Sequence, residues 1–124
     1  MNTPLNPHRR LKTYSAESGY VYQYYFLESR PLQRLWTRTG TLFLFHATTD
    51  CKNYFVVQVI VQEKALRAWE RLHGRALVGQ EQYAAAKMRL FRAFDETERP
   101  GGIDQMIVTE ANIEELLEPL NLDG

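Results

Sequence analysis

The sequence predicts an α+β domain: a twisted antiparallel sheet of about four strands, arranged as two hairpins, followed by two to three helices packed on one face. Three observations lead there. The apolar pattern has a period of two up to Val61 and a period near 3.6 after it. Strands therefore come first and helices second, unlike the alternating order of a parallel α/β sheet. The chain of 124 residues, 44% of them hydrophobic, is long enough for one packed core and short for two. The expected organisation is a flexible arm over residues 1–8, a single domain over 9–120 and a frayed C-terminus over 121–124.

The first hairpin joins Leu11–Ala16 to Tyr20–Glu28 across Glu17-Ser18-Gly19, a short loop whose glycine tolerates a left-handed backbone. That spacing makes Tyr14 and Tyr22 cross-strand neighbours. Tyr20, Tyr22, Tyr24 and Phe26 then share one face of the second strand, while Val21, Gln23, Tyr25 and Leu27 share the other. Residues 30–40 hold Pro31, three arginines and Trp36 with little periodicity, and read as an extended connection that turns strand-like near Trp36. The second hairpin pairs Thr41–Thr48 with Tyr54–Val61, its turn supplied by Asp50 and Asn53. None of these strands has a plainly polar face, so the sheet asks for cover on both sides.

Glu63–His73 reads as a helix with Leu66, Trp69 and Leu72 on one stripe and Gly74 just past its end. A second helix from Gln80 to Asp95 repeats Tyr83, Ala84, Met88, Phe91 and Phe94 at helical spacing. Pro100-Gly101-Gly102 breaks the chain, Met106–Val108 suits a short edge strand, and Thr109 suits the N-cap of a last helix that Pro119 ends.

The formal charge is zero, but its halves are not. Up to Phe94 there are 14 basic and 6 acidic residues, and after it 1 basic and 9 acidic, so +8 faces −8. Lys64, Arg67, Arg71 and Arg75 form a basic stripe on the first helix, and Glu110, Glu114 and Glu118 an acidic one on the last. Like charges at a spacing of four disfavour an isolated helix by roughly 0.2–0.5 kcal/mol per pair. The acidic helix is therefore expected to lie against the basic stripe, within one chain or across a dimer.

No apolar run approaches the roughly 18 residues of a membrane span, and residues 1–7 do not resemble a signal peptide. With Cys51 alone, no internal disulfide forms, and a cytoplasmic location is expected. His8, His46 and His73 lack a paired-ligand spacing, so neither a metal nor another cofactor is expected. His46, Asp50 and Cys51, around one hairpin turn, are the candidate catalytic set, a base, an orienting acid and a nucleophile. A Gly-x-Ser-x-Gly elbow and glycine-rich phosphate loops are absent.

The most specific feature is the aromatic content of the N-terminal half, where 11 of the 15 aromatic residues precede residue 56, interleaved with Arg9, Arg10, Lys12, Arg30, Arg34 and Arg38. Tyrosine and tryptophan bury area while keeping a polar tip, as association surfaces require. The leading expectation is a non-catalytic binding module that uses Tyr14, Tyr20, Tyr22, Tyr24 and Trp36 for homodimerisation or for a small apolar ligand. Two other readings use neighbouring residues: a platform that stacks single-stranded nucleic acid between aromatics and arginines, and a small enzyme centred on His46, Asp50 and Cys51.

Overall fold

The computed structural model describes residues 10–35 and 37–123. The expected arm over 1–8 and Trp36 lie outside that range. The fold is α+β, as the order of periodicities predicts. Strands β1 (Lys12–Ser15), β2 (Val21–Arg34), β3 (Thr37–Thr48) and β4 (Phe55–Gln62) form an antiparallel meander. Helices α1 (Glu63–His73) and α2 (Gly79–Glu96) follow, then β5 (Gln105–Val108) and the short helix α3 (Ile113–Leu117). The sheet order is β1-β2-β3-β4-β5.

Two expectations about the sheet are corrected. First, β5 runs parallel to β4, pairing Val59 with Met106 and Val61 with Val108, so the five-stranded sheet is mixed. The reason is the crossover: α1 and α2 carry the chain back along the sheet before β5 begins, which a tight turn cannot do. Second, residues 30–40 are not a connection. β2 runs on to Arg34 and β3 starts at Thr37, with Leu35 in a left-handed turn at φ 61°. Irregular pairing between Phe26 and Glu28 and between Leu32 and Gln33 breaks the period of two, which hid this hairpin from the pattern and which curls the sheet. At Gly40 the backbone of β4 comes close to that of β3. A Cβ there would stand 2.5 Å from the Val61 carbonyl oxygen, so the residue cannot carry a side chain.

All three helices cover one face of the sheet. The pairing places Tyr14 beside Tyr22, Lys12 beside Tyr24, Phe26 beside Phe45 and Phe43 beside Val59 on that face. The core beneath the helices joins Tyr22, Phe45, Val57, Val59, Val61 and Val108 to Trp69, Leu90, Phe94 and Ile113, all fully buried. In α1 the buried arc runs through Ala65 and Trp69, and Gly74 caps the helix at φ 76° with its N–H donating to the Glu70 carbonyl. Leu72, expected on the buried stripe, points to solvent in the last turn of α1. The segment after Phe94 belongs to the core through Ile103, Met106, Val108, Leu116 and Leu117, so it is part of the fold rather than a removable acidic cover. Among the described residues no helix is long and apolar enough to cross a membrane.

Candidate functional site

Of the tyrosines singled out above, Tyr14, Tyr22 and Tyr24 do not lie on an open second face; they pack against α2. Tyr22 is 0% and Tyr24 3% exposed, because the strand face that carries them is the one the helices cover. On α2, Tyr83, Lys87 and Phe91 recur every four residues and face β1 and β2, with Phe94 one turn further. The result is a seam of interlocking rings. Tyr14 stacks on Phe91 with centroids 4.1 Å apart and Tyr22 on Phe94 at 3.8 Å. Tyr24 meets Phe91 edge-on at 5.6 Å, and Phe26 meets Tyr83 edge-on at 5.2 Å. Tyr22 has no outer face on which a base could stack. Tyr20 stays half-exposed and donates its hydroxyl to the Glu98 carbonyl oxygen at 3.1 Å.

One end of this seam is closed. The Tyr14 hydroxyl donates to both carboxylate oxygens of Asp95 at 3.0 and 2.9 Å, the Glu17 N–H donates to the same group at 2.9 Å, and Ser18 Oγ donates to the Phe94 carbonyl at 2.7 Å. The β1–β2 turn is thus pinned to the last turn of α2. Burial, then Asp95, pushes the Tyr14 phenol up to about 12.

The other end is open. Past the start of β1, a cavity of about 240 Å³ is lined by Arg10, Lys12, Tyr24, Tyr25, Phe26 and Tyr83. A second, apolar depression of about 330 Å³ adjoins it, sharing Phe26 and Tyr83 and adding Ser29, Phe43, Gly79 and Gln80. The Lys87 ammonium stands 5.9 Å from the centres of both the Tyr83 and the Phe91 rings. Burial first, and the Lys12 ammonium beside it second, push the Lys87 group down from its ordinary value. Burial, then Tyr83 and Tyr14, raises the Tyr24 phenol to about 12, so both it and Tyr83, also raised by burial, are neutral hydrogen-bond donors at physiological pH.

His46, Asp50 and Cys51 are near one another along the chain but do different things. The Asp50 carboxylate accepts from the backbone of Lys52 and Asn53, both at 2.8 Å, from Asn53 Nδ2 at 3.0 Å and from Thr48 Oγ1 at 3.0 Å. Those donors, the Asn53 backbone first, hold it well below the usual carboxylate range, the signature of a turn clamp. His46 sits on the sheet face away from the helices, with Nδ1 2.7 Å from the Tyr25 hydroxyl. Cys51 is exposed, with φ 59° in the turn. Among the described residues no hydrogen bond joins His46, Asp50 and Cys51 into a relay, and no three His, Cys, Asp or Glu side chains converge as a metal site.

Among the described residues no cation of the basic stripe forms an ion pair with Glu110, Glu114 or Glu118. Lys64, Arg67 and Arg71 are exposed, and Arg67 pairs with Glu63 of its own helix at 4.0 Å. Arg75 forms a two-pronged pair with Glu81, each bond 2.8 Å, which also sets the start of α2. The acidic segment touches α1 at its last turn: His73 stacks on Trp69 at 3.9 Å, bonds Glu114 Oε1 at 2.6 Å, and bonds Asp123 through its other ring nitrogen. Asp123 also pairs with Arg75, just past the end of α1, at 3.7 Å. Glu115 pairs with Arg92 at 3.4 Å, whereas Glu110 and Glu118 form no ion pair among the described residues.

Of the residues that line the open end, Tyr24, Arg10 and Lys12 were visible as part of the aromatic and basic N-terminal half. Tyr83 looked like ordinary helix core, and Lys87 was missed. The signal for it was a charge inside an apolar stripe, since Tyr83, Lys87 and Phe91 share one helix face. Searches against protein-family models, curated proteins and solved structures return no match for this chain.

Proposed function

We propose that this protein is a non-catalytic binding module whose ligand seat is the open end of the seam between β1–β2 and α2. The observation that supports the reading is the pair of adjoining depressions, about 240 and 330 Å³, that share Phe26 and Tyr83. Their combined size and aromatic walls suit a small molecule with an apolar body. Titration with naphthol, followed by backbone amide shifts, tests this. The expected result is saturable shifts at Phe26, Phe43, Gly79 and Tyr83, reduced severalfold in affinity by Tyr83→Ala. Shifts scattered over the surface, or none at millimolar probe, would sink the reading.

A second reading, self-association, is favoured by a different observation. On the sheet face away from the helices, Leu42, Leu44, Val56, Gln58, Ile60, Gln105 and Ile107 form a patch across β3, β4 and β5 without a charged side chain, bordered on β2 by the Glu28–Arg30 pair opposite Leu44 and Leu42. Val56 is 42% exposed. Depletion of charge is what separates an interface core from ordinary surface, and a twofold dimer is the commonest arrangement that pairs such a face with itself. Sedimentation at micromolar concentration is expected to show a dimer that Val56→Lys dissociates; a strict monomer removes the reading. A lone, exposed cysteine accords with a cytoplasmic location.

A further inference from the structure

At the open end of the cleft, positive charge is gathered where no described carboxylate pairs with it. Lys12 is carried inward by the register that sets it beside Tyr24, and Lys87 by its place between Tyr83 and Phe91 on α2. Arg10 lines the same cavity. Lys12 and Lys87 are half-buried and close enough to act on each other. Elsewhere Arg75 is matched by Glu81 and Arg92 by Glu115, and Arg89, half-buried without an ion pair among the described residues, donates its Nε–H to the Ile107 carbonyl. Among the described residues no carboxylate pairs with Arg10, Lys12 or Lys87, and neither the Tyr24 nor the Tyr83 hydroxyl has a hydrogen-bond partner. Two ammonium groups turned toward each other in a partly desolvated site repel, and an anion between them reverses the sign of that interaction.

We propose that this cationic end is an oxyanion seat and that the ligand's head is a phosphate monoester, its organic body lying in the apolar depression beyond Phe26 and Tyr83. The inference rests on the binding reading above and adds the chemical class of the ligand. Phosphate fits better than carboxylate because three cations and two O–H donors exceed what a monoanion with two oxygens uses. A dianion with three terminal oxygens matches them in charge and in acceptor count. The adjoining apolar walls account for an ester rather than free phosphate.

Calorimetry at low ionic strength on the intact chain, with naphthol, naphthyl phosphate, naphthyl sulfate and inorganic phosphate as probes, tests the assignment. Naphthyl phosphate is expected to bind about tenfold or more tighter than naphthol. Lys12→Met and Lys87→Met should each remove most of that difference, so that each variant binds naphthyl phosphate little more tightly than it binds naphthol. Inorganic phosphate should raise the melting temperature of the parent and not of these variants; if either fails to fold, Arg10→Gln and Lys87→Gln serve in its place. Equal affinity for naphthol and naphthyl phosphate overturns the anionic head and leaves the apolar cleft standing. Naphthyl sulfate binding as tightly as naphthyl phosphate overturns the dianion. Stabilisation by inorganic phosphate that survives every lysine and arginine variant is a general salt effect and also overturns the proposal. Variant-sensitive stabilisation by inorganic phosphate without any naphthol binding supports the anion seat and sinks the apolar reading instead.

Discussion

The two ends of the seam between β1–β2 and α2 use the same residue types and resolve them in opposite ways. At the Tyr14 end, aromatic rings stack face to face and the polar atoms around them close on Asp95 and on the last carbonyls of α2. At the Lys12 end, rings meet edge-on around a cavity, and the charged groups they enclose are all of one sign. Charge accounts for the difference. One carboxylate, Asp95, can neutralise and orient donors from both strand and turn, and among the described residues no equivalent group pairs with Lys12 or Lys87. The first end is therefore closed on itself, and the second keeps its cations without a carboxylate partner among the described residues.

The largest effect that would break this contrast is at the closed end. Phe94→Ala removes the ring on which Tyr22 stacks and leaves a cavity in the fully buried core, and a loss of about 3–5 kcal/mol is expected in urea unfolding. A loss under 1 kcal/mol would mean that the two ends are equally loose. Asp95→Asn should cost about 2 kcal/mol, since the group it replaces accepts charge-assisted bonds from Tyr14 and Glu17. It also sharpens the comparison through pH. A phenol whose folded pKa is raised contributes stability fully present below its unfolded value near 10, lost as pH rises through about 12. Ultraviolet titration of Asp95→Asn should therefore lower the Tyr14 midpoint and leave that of Tyr24, which burial sets first, in place.

Smaller effects follow. The Tyr22 hydroxyl is buried without a hydrogen-bond partner, so Tyr22→Phe should raise stability by about 1 kcal/mol, read as a higher denaturation midpoint at unchanged slope. Smallest in stability is Lys87→Met, which removes one of two repelling ammonium groups and is expected to be neutral or slightly stabilising in the absence of ligand. A clear destabilisation by Lys87→Met would show that Lys87 supports the fold through its place over Tyr83 and Phe91, and the contrast between the two ends would collapse.

Much of the fold was legible along the chain. The helix Glu63–His73 was read to the residue because Leu66, Trp69 and Leu72 recur at helical spacing and Gly74 ends it, although Leu72 of that stripe is exposed. The Tyr14–Tyr22 pairing followed from the length of the turn. The β2–β3 hairpin was not legible, since irregular pairing at Leu27 and near Leu32 breaks the period of two that marks a strand. The open end of the cleft was legible only in pieces: Lys12 and Tyr24 stand out locally, whereas Tyr83 and Lys87 acquire meaning only from the strands opposite them.

What the linear order determined was the class of fold, the partition of charge into a basic body and an acidic C-terminal segment, and the aromatic richness of the first hairpins. These are properties of neighbours in sequence, set by side-chain period and turn chemistry. Which face of the sheet the helices cover, the parallel docking of β5, and the meeting of Lys12 with Lys87 were decided by tertiary structure. Each depends on contacts between segments dozens of residues apart, and the choice between two bulky sheet faces is made by packing volume and by the direction of the crossover, which no local pattern records.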